Sequence, residues 1–169
     1  WVNAKDLNIA EKRFVKSPMA RVNSTRVNTH RKVSITWLEW EARKRGIFIK
    51  HTLNIGEEAV QNDTGNGRYR LEGVHVNEKT GKKTAFEFYG CLWHGCLTCF
   101  PEKISSQPGD KDFPDFNTIK HPHTGQSMSE LYRATRKRES WLKLLGYDLV
   151  IKWEHEFHEQ LSVDPALKA

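Results

Sequence analysis

Three cysteines and a histidine stand within nine residues, in the string Gly90-Cys91-Leu92-Trp93-His94-Gly95-Cys96-Leu97-Thr98-Cys99. The chain has no other cysteine. An odd, tightly clustered set makes a poor disulfide framework. Zinc takes four tetrahedral ligands, chiefly Cys and His, and the Cys96-x-x-Cys99 spacing lets one turn supply two of them. On spacing alone the ligands are Cys91, His94, Cys96 and Cys99. The competing reading is a set of buried, reduced thiols, which are common in cores. It explains poorly why all three crowd a turn that contains Gly95.

The 169 residues suit one domain with a substantial core. Six Trp, eight Phe and four Tyr are too many large apolar side chains for wholesale disorder. No apolar run approaches the roughly 18 residues of a membrane span, and no basic-then-apolar signal segment opens the sequence. With Trp1 as its first residue, the chain reads as a domain of a longer polypeptide that works inside the cell, in the nucleus if the source is eukaryotic. Lys and Arg total 27 against 21 Asp and Glu. The resulting net charge of +6 favours a polyanionic partner.

Residues 1–33 are polar and basic with weak hydrophobic periodicity. They read as an arm for nucleic acid or as a solvated extension. Ser34 to Arg45 reads as a helix, with Ser34 as N-cap, Gly46 past its end, and Trp37, Leu38 and Ala42 as its buried stripe. Ile47-Phe48-Ile49 reads as a short strand, and a loop is expected at 63–67. Tyr69–Val76 and Thr84–Phe88 read as the strands of a β-hairpin about the turn 77–82. Residues 101–126, rich in Pro, Gly, Ser and Asp, form a long loop. Ser127 and Glu130 make a capping box for a helix reaching Leu145, with Met128, Leu131, Leu142 and Leu145 on one face. Tyr147–Trp153 is then a strand. The order helix, strands, helix, strand points to an α/β or α+β layered domain, with 34–160 as its body and 161–169 as a tail.

Acidic side chains converging on a strand pair are what a metal-dependent phosphodiesterase needs. Glu72 closes the first strand, and Glu87 lies between Phe86 and Phe88 in the second. Glu39 on the first helix and Glu57, with Glu58, after Gly56 are further candidates. Taken singly, each is more often a solvated charge than a ligand. The helix after Ser127 carries Arg133, Arg136, Lys137 and Arg138, which could grip a phosphate backbone or form a solvated face.

The run Glu87-Phe88-Tyr89-Gly90-Cys91-Leu92-Trp93-His94-Gly95-Cys96, followed by Leu145-Gly146-Tyr147 and Trp153-Glu154, resembles the very-short-patch repair endonucleases of the PD-(D/E)XK superfamily. It is more similar to the related nuclease-like domain found with family B DNA polymerases of polinton-type mobile elements. Supporting counterparts are Trp37-Leu38, Gly56-Glu57, Glu72-Gly73, Glu130-Leu131-Tyr132, Arg138 and Trp153-Glu154-His155. The resemblance spans about 34–157.

It implies a restriction-endonuclease-like fold, a central mixed β-sheet flanked by helices. It also moves one zinc ligand. In the repair endonucleases the His of the Trp-His pair is catalytic, and the fourth ligand is a Cys just after the final Trp-Glu. Here that place is His155. The implied zinc set is therefore Cys91, Cys96, Cys99 and His155, with His94 released for chemistry. Glu72 and Glu87 would hold Mg²⁺ or Mn²⁺, His94 would serve as general base or acid, and Glu39 or Glu57 would act from behind. Trp93 is expected to pack beside the zinc.

Two departures accompany the resemblance. The superfamily's central Asp is Glu72, and its Lys is Tyr89. By count from Cys91, the metal-facing position falls on Phe88, so Glu87 requires a shift or bulge in the strand. The implied function is a metal-dependent DNA endonuclease or nickase. The rival is a zinc-containing module that binds DNA or protein without catalysis.

Overall fold

The computed structural model describes residues 24–101 and 116–163. The elements run α1 Ser24–Arg45, β1 Lys50–His51, β2 Glu58–Gln61, β3 Arg68–Leu71, β4 Gly73–Val76, β5 Lys83–Tyr89, α2 Cys91–His94, α3 Met128–Leu144, β6 Tyr147–Trp153 and α4 Glu154–Val163. Most of the basic stretch 1–33, residues 102–115 of the long loop and most of the tail lie outside the described residues.

The main sheet has the strand order β1-β4-β5-β6 and is mixed. β4 and β5 form the expected antiparallel hairpin, from Gly73↔Phe86 to Val76↔Lys83. β6 lies parallel to β5 over seven pairs, Lys83↔Tyr147 to Tyr89↔Trp153. A parallel partner requires a crossover, and α3 supplies it. Ala85 through Tyr89 are all buried, as expected for a strand covered on both faces. Alternation along β5 sorts those faces. Phe86 and Phe88 pack with Ile35, Trp37 and Leu38 of α1, Ile49, and Phe157 of α4. Ala85 packs on the other side with Leu71, Val74, Leu142 of α3 and Tyr147. Glu87 and Tyr89 share that second side by their parity with Ala85. The sheet is thus layered between α1 with α4 and α3.

Several expectations need correction. The first helix starts at Ser24, not Ser34. Ser34 is buried mid-helix, where the backbone N–H groups it was expected to cap are bonded to the preceding turn. Ile47-Phe48-Ile49 is not a strand, and only Lys50–His51 pairs with β4. Ile49, with Ile47 behind it, joins the core against α1 instead. The expected strand Tyr69–Val76 breaks at Glu72. Its first half pairs with Glu58–Gln61 in a separate two-stranded sheet. The break coincides with a tight approach of α1. A Cβ on Gly73 would lie 2.6 Å from Leu38 Cδ2 and 2.8 Å from Ile49 Cγ2. Leu145 is exposed rather than on the apolar face, because α3 ends at Leu144 and Leu145 is its C-cap. The capping box of Ser127 and Glu130 and the strand Tyr147–Trp153 are found as expected. No helix among the described residues is long and apolar enough to cross a membrane.

Candidate metal centre and carboxylate face

Past Tyr89 the chain makes one helical turn, α2, and stops at Gly95 in the left-handed region (φ 63°). A side chain there would run into α3, with its Cβ 2.7 Å from the Tyr132 backbone nitrogen. Gly95 therefore allows both the reversal and the close docking on α3. The reversal is fixed by Cys96 N–H donating to Cys91 O (3.0 Å) and Phe100 N–H to Cys96 O (2.8 Å). These bonds gather the three cysteines. The Tyr89↔Trp153 pair then delivers the start of α4 to the same end of the sheet, and His155 with it.

Sulfur atoms of Cys91, Cys96 and Cys99 and one ring nitrogen of His155 lie within 4.8 Å of one another. His155 Nδ1 is 3.3 Å from Cys91 Sγ and 3.5 Å from Cys96 Sγ. Tetrahedral zinc, with Zn–S about 2.3 Å and Zn–N about 2.0–2.1 Å, sets its nitrogen and sulfur ligands about 3.5 Å apart. The donor set and its spacing fit structural zinc. Hydrogen bonds from Cys91 and then Cys99 hold the Cys96 thiol well below its ordinary pKa, while the shared bond to Cys96 pushes Cys91 up. Glu154 steadies the cluster from behind, its Oε2 accepting from Cys91 N–H at 3.1 Å.

His94 stands apart from this group, so the ligand set suggested by spacing alone is corrected. Its Nδ1 lies 3.1 Å from Thr135 Oγ1 of α3, and its ring stacks on Tyr89 with centroids 4.4 Å apart. Trp93 is half exposed rather than core. It leans on His121, 4.2 Å between centroids, and lies nearly parallel to His123 at 6.1 Å.

Glu87 is 2% exposed and faces α3. The β5–β6 ladder is unbroken through it, and Phe88 points into the opposite core. Arg138 of α3 donates to Glu87 Oε2 at 2.8 Å and to Arg70 O at 2.6 Å. Burial pushes Glu87 up to about 7 against the pull of Arg138, and the charges of Glu72 and Glu139 add to the rise. Glu72 lies just before β4, past the end rung Gly73↔Phe86, and its charge acts on Glu87. Glu139 is 2% exposed and bonded to Arg136 at 2.6 Å.

The other candidates lie elsewhere. Glu39 is exposed on α1, the helix on the far side of the sheet. It acts on His51 and lines a pocket of about 270 Å³ with Ala42, Phe48 and Asn54. Glu57 accepts from Arg70 at 3.3 Å. Glu58 bonds the Tyr147 hydroxyl. Of the four α3 residues expected to grip DNA, Arg138 is turned inward, with 18% of its side chain exposed. Arg136 and Lys137 are exposed and paired with Glu139 and Asp63. Arg133 is exposed, its Nε donating to Ser129 O.

Sequence reasoning missed Thr135 and Glu139. Their signal was available: with Leu131 and Leu142 they complete one stripe of α3 at helical spacing, as polar residues where apolar ones belong. Comparison with protein-family models, curated proteins and solved structures returns no match.

Proposed function

We propose that this chain is a zinc-stapled, metal-dependent DNA endonuclease or nickase domain of restriction-endonuclease-like fold, part of a longer mobile-element or repair polypeptide. The observation that supports the reading is the buried carboxyl of Glu87 on the α3 side of β5, on which the charge of Glu72 acts, with His94 reached from Glu87 through Tyr89 on the same strand face. Glu72 and Glu87 would hold Mg²⁺ or Mn²⁺, which supplies water activation and neutralises phosphate charge. Thr135 engages Nδ1 of His94, which fixes the ring for the proton transfer assigned to this histidine. The exposed cations Arg133, Arg136 and Lys137 would hold the DNA backbone. Cys91, Cys96, Cys99 and His155 would keep β5, β6 and α4 in register behind this site.

One observation favours the second reading, a zinc-stapled module that binds without cutting. Arg138 already holds Glu87. The test is nicking of supercoiled plasmid by purified protein with Mg²⁺ or Mn²⁺. Cutting is expected, and Glu72→Ala and His94→Ala should each abolish it. Intact plasmid in every condition, together with a gel shift, would establish the non-cutting module. Cutting that persists in His94→Ala removes the histidine from the mechanism.

A further inference from the structure

The stretch from Ile47 to Ile55 holds three large apolar side chains in water. Phe48 is 59% exposed, Leu53 69% and Ile55 68%. The turn that presents them is tied down. Asn54 Oδ1 accepts from His51 N–H at 2.8 Å, and Asn54 Nδ2 donates to Ile49 O at 2.9 Å. His75 of β4 places its Nδ1 2.9 Å from Phe48 O. Phe48 and Asn54 line one pocket with Glu39, Ala42 and Arg43 of α1, so the helix face and the apolar turn form a single surface. Exposed apolar side chains gathered on an ordered turn mark an interaction surface.

Charge says what covers it. Most charged groups of this region are already engaged: Glu41 with Arg45 at 2.6 Å, Lys50 with Glu58 at 3.9 Å, and Lys44 over the Trp40 ring at 4.5 Å. Glu39 and Arg43 are exposed, and neither forms an ion pair with a described residue. His51 does not neutralise Glu39, because burial holds its pKa below the ordinary value. Glu39 and Arg43 stand one turn apart on α1, with Ala42 lining the same pocket. A face that carries one free charge of each sign is complementary to itself across a two-fold axis, where each charge meets the other sign on the second copy. Ala42 is small enough to let two antiparallel helices approach to about 8–10 Å there.

We infer that the Glu39–Arg43 face of α1 and the turn 47–55 form a two-fold interface between two copies of this chain. Phe48, Leu53 and Ile55 supply its apolar part, and Glu39 of each copy pairs with Arg43 of the other and sets the register. α1 packs on the sheet face opposite Ala85 and α3, so both copies keep the Glu87 side open. The interface is therefore independent of the endonuclease reading and survives its failure.

The experiment is sedimentation equilibrium of the zinc-loaded full chain over a concentration series at low salt, with zinc content and circular dichroism as fold controls. A concentration-dependent dimer is expected. Leu53→Asp, which sets a charge in the apolar part, should leave a monomer. Glu39→Arg and Arg43→Glu should each weaken the dimer by roughly tenfold or more, because like charges then meet twice across the axis. The two changes together should restore it. A wild type that stays monomeric throughout the series overturns the interface and leaves the face to a different protein. A dimer that persists in Leu53→Asp and in both single charge variants lies elsewhere and overturns the assignment. A double variant as weak as the single ones overturns the Glu39–Arg43 pairing.

Discussion

At the scale of single residues, the two histidines that the motif could not tell apart divide cleanly. His155 sits 3.3 and 3.5 Å from two cysteine sulfurs, and His94 sits on Tyr89 and Thr135. His155→Ala should therefore lower zinc affinity by roughly 10–100-fold or more, while His94→Ala keeps about one zinc per chain. Metal analysis after dialysis checks both. Glu87 gives a second prediction. In the fold it keeps its proton up to about pH 7, against an ordinary value of 4.5, chiefly through burial. Between those two values the folded chain binds more protons than the unfolded one, so stability falls as pH rises. From pH 6 to 8, in zinc-loaded protein without Mg²⁺, wild type should lose about 1 kcal/mol relative to Glu87→Gln. Thermal unfolding reads the difference. A wild type that gains on the variant over that range would mean that Arg138 keeps the carboxylate ionised. The cysteines were legible because their spacing carries chemistry on its own. His155 was not legible from spacing, because 64 residues separate it from Cys91 and only the β5–β6 pairing joins them.

Elements were legible where the signal is local. The capping box of Ser127 and Glu130 closes over four residues and is found with both reciprocal bonds. Ser127→Ala should cost about 1 kcal/mol in urea unfolding. By contrast, Gly95→Ala must force both a left-handed backbone and a Cβ into α3, so it should cost more than about 2 kcal/mol and release zinc with it. Equal losses in the two variants would mean that the α2–α3 approach is looser than the geometry shows. The elements that sequence reading misplaced are those set by tertiary contact. Ser34 looks like a cap, yet the helix runs on through it to Ser24. The strand through Glu72 looks continuous, yet its halves belong to different sheets because α1 presses on Gly73. α4 has little local signal, and Phe157 under Phe88 anchors it, with ring centroids 5.9 Å apart at 89°.

At the scale of the whole molecule, the net charge of +6 is a weaker guide to DNA binding than the disposition of a few side chains. Of the five cations on α3, Lys143 lies in the last turn, Arg138 is bonded to Glu87 inside the fold, and Arg136 and Lys137 already have Glu139 and Asp63 as partners. Away from the last turn three exposed cations, Arg133, Arg136 and Lys137, can meet phosphate, Arg136 and Lys137 by exchanging their carboxylate partners for it. Each phosphate neutralised on duplex DNA contributes about −0.9 to the slope of log affinity against log salt. If α3 is the contact surface, the slope between 50 and 200 mM salt should be about −3, measured by fluorescence anisotropy with a short duplex. Arg133→Ala should make it shallower by about 1. Arg138→Met should leave the slope unchanged, because that guanidinium is turned toward the sheet. A slope nearer −6 would place most phosphate contacts outside α3, with the basic stretch 1–33 the first segment to delete. A slope near zero would leave a zinc-stapled domain whose partner is another protein. The same fold thus yields three separable outcomes, decided by where its positive charge is used.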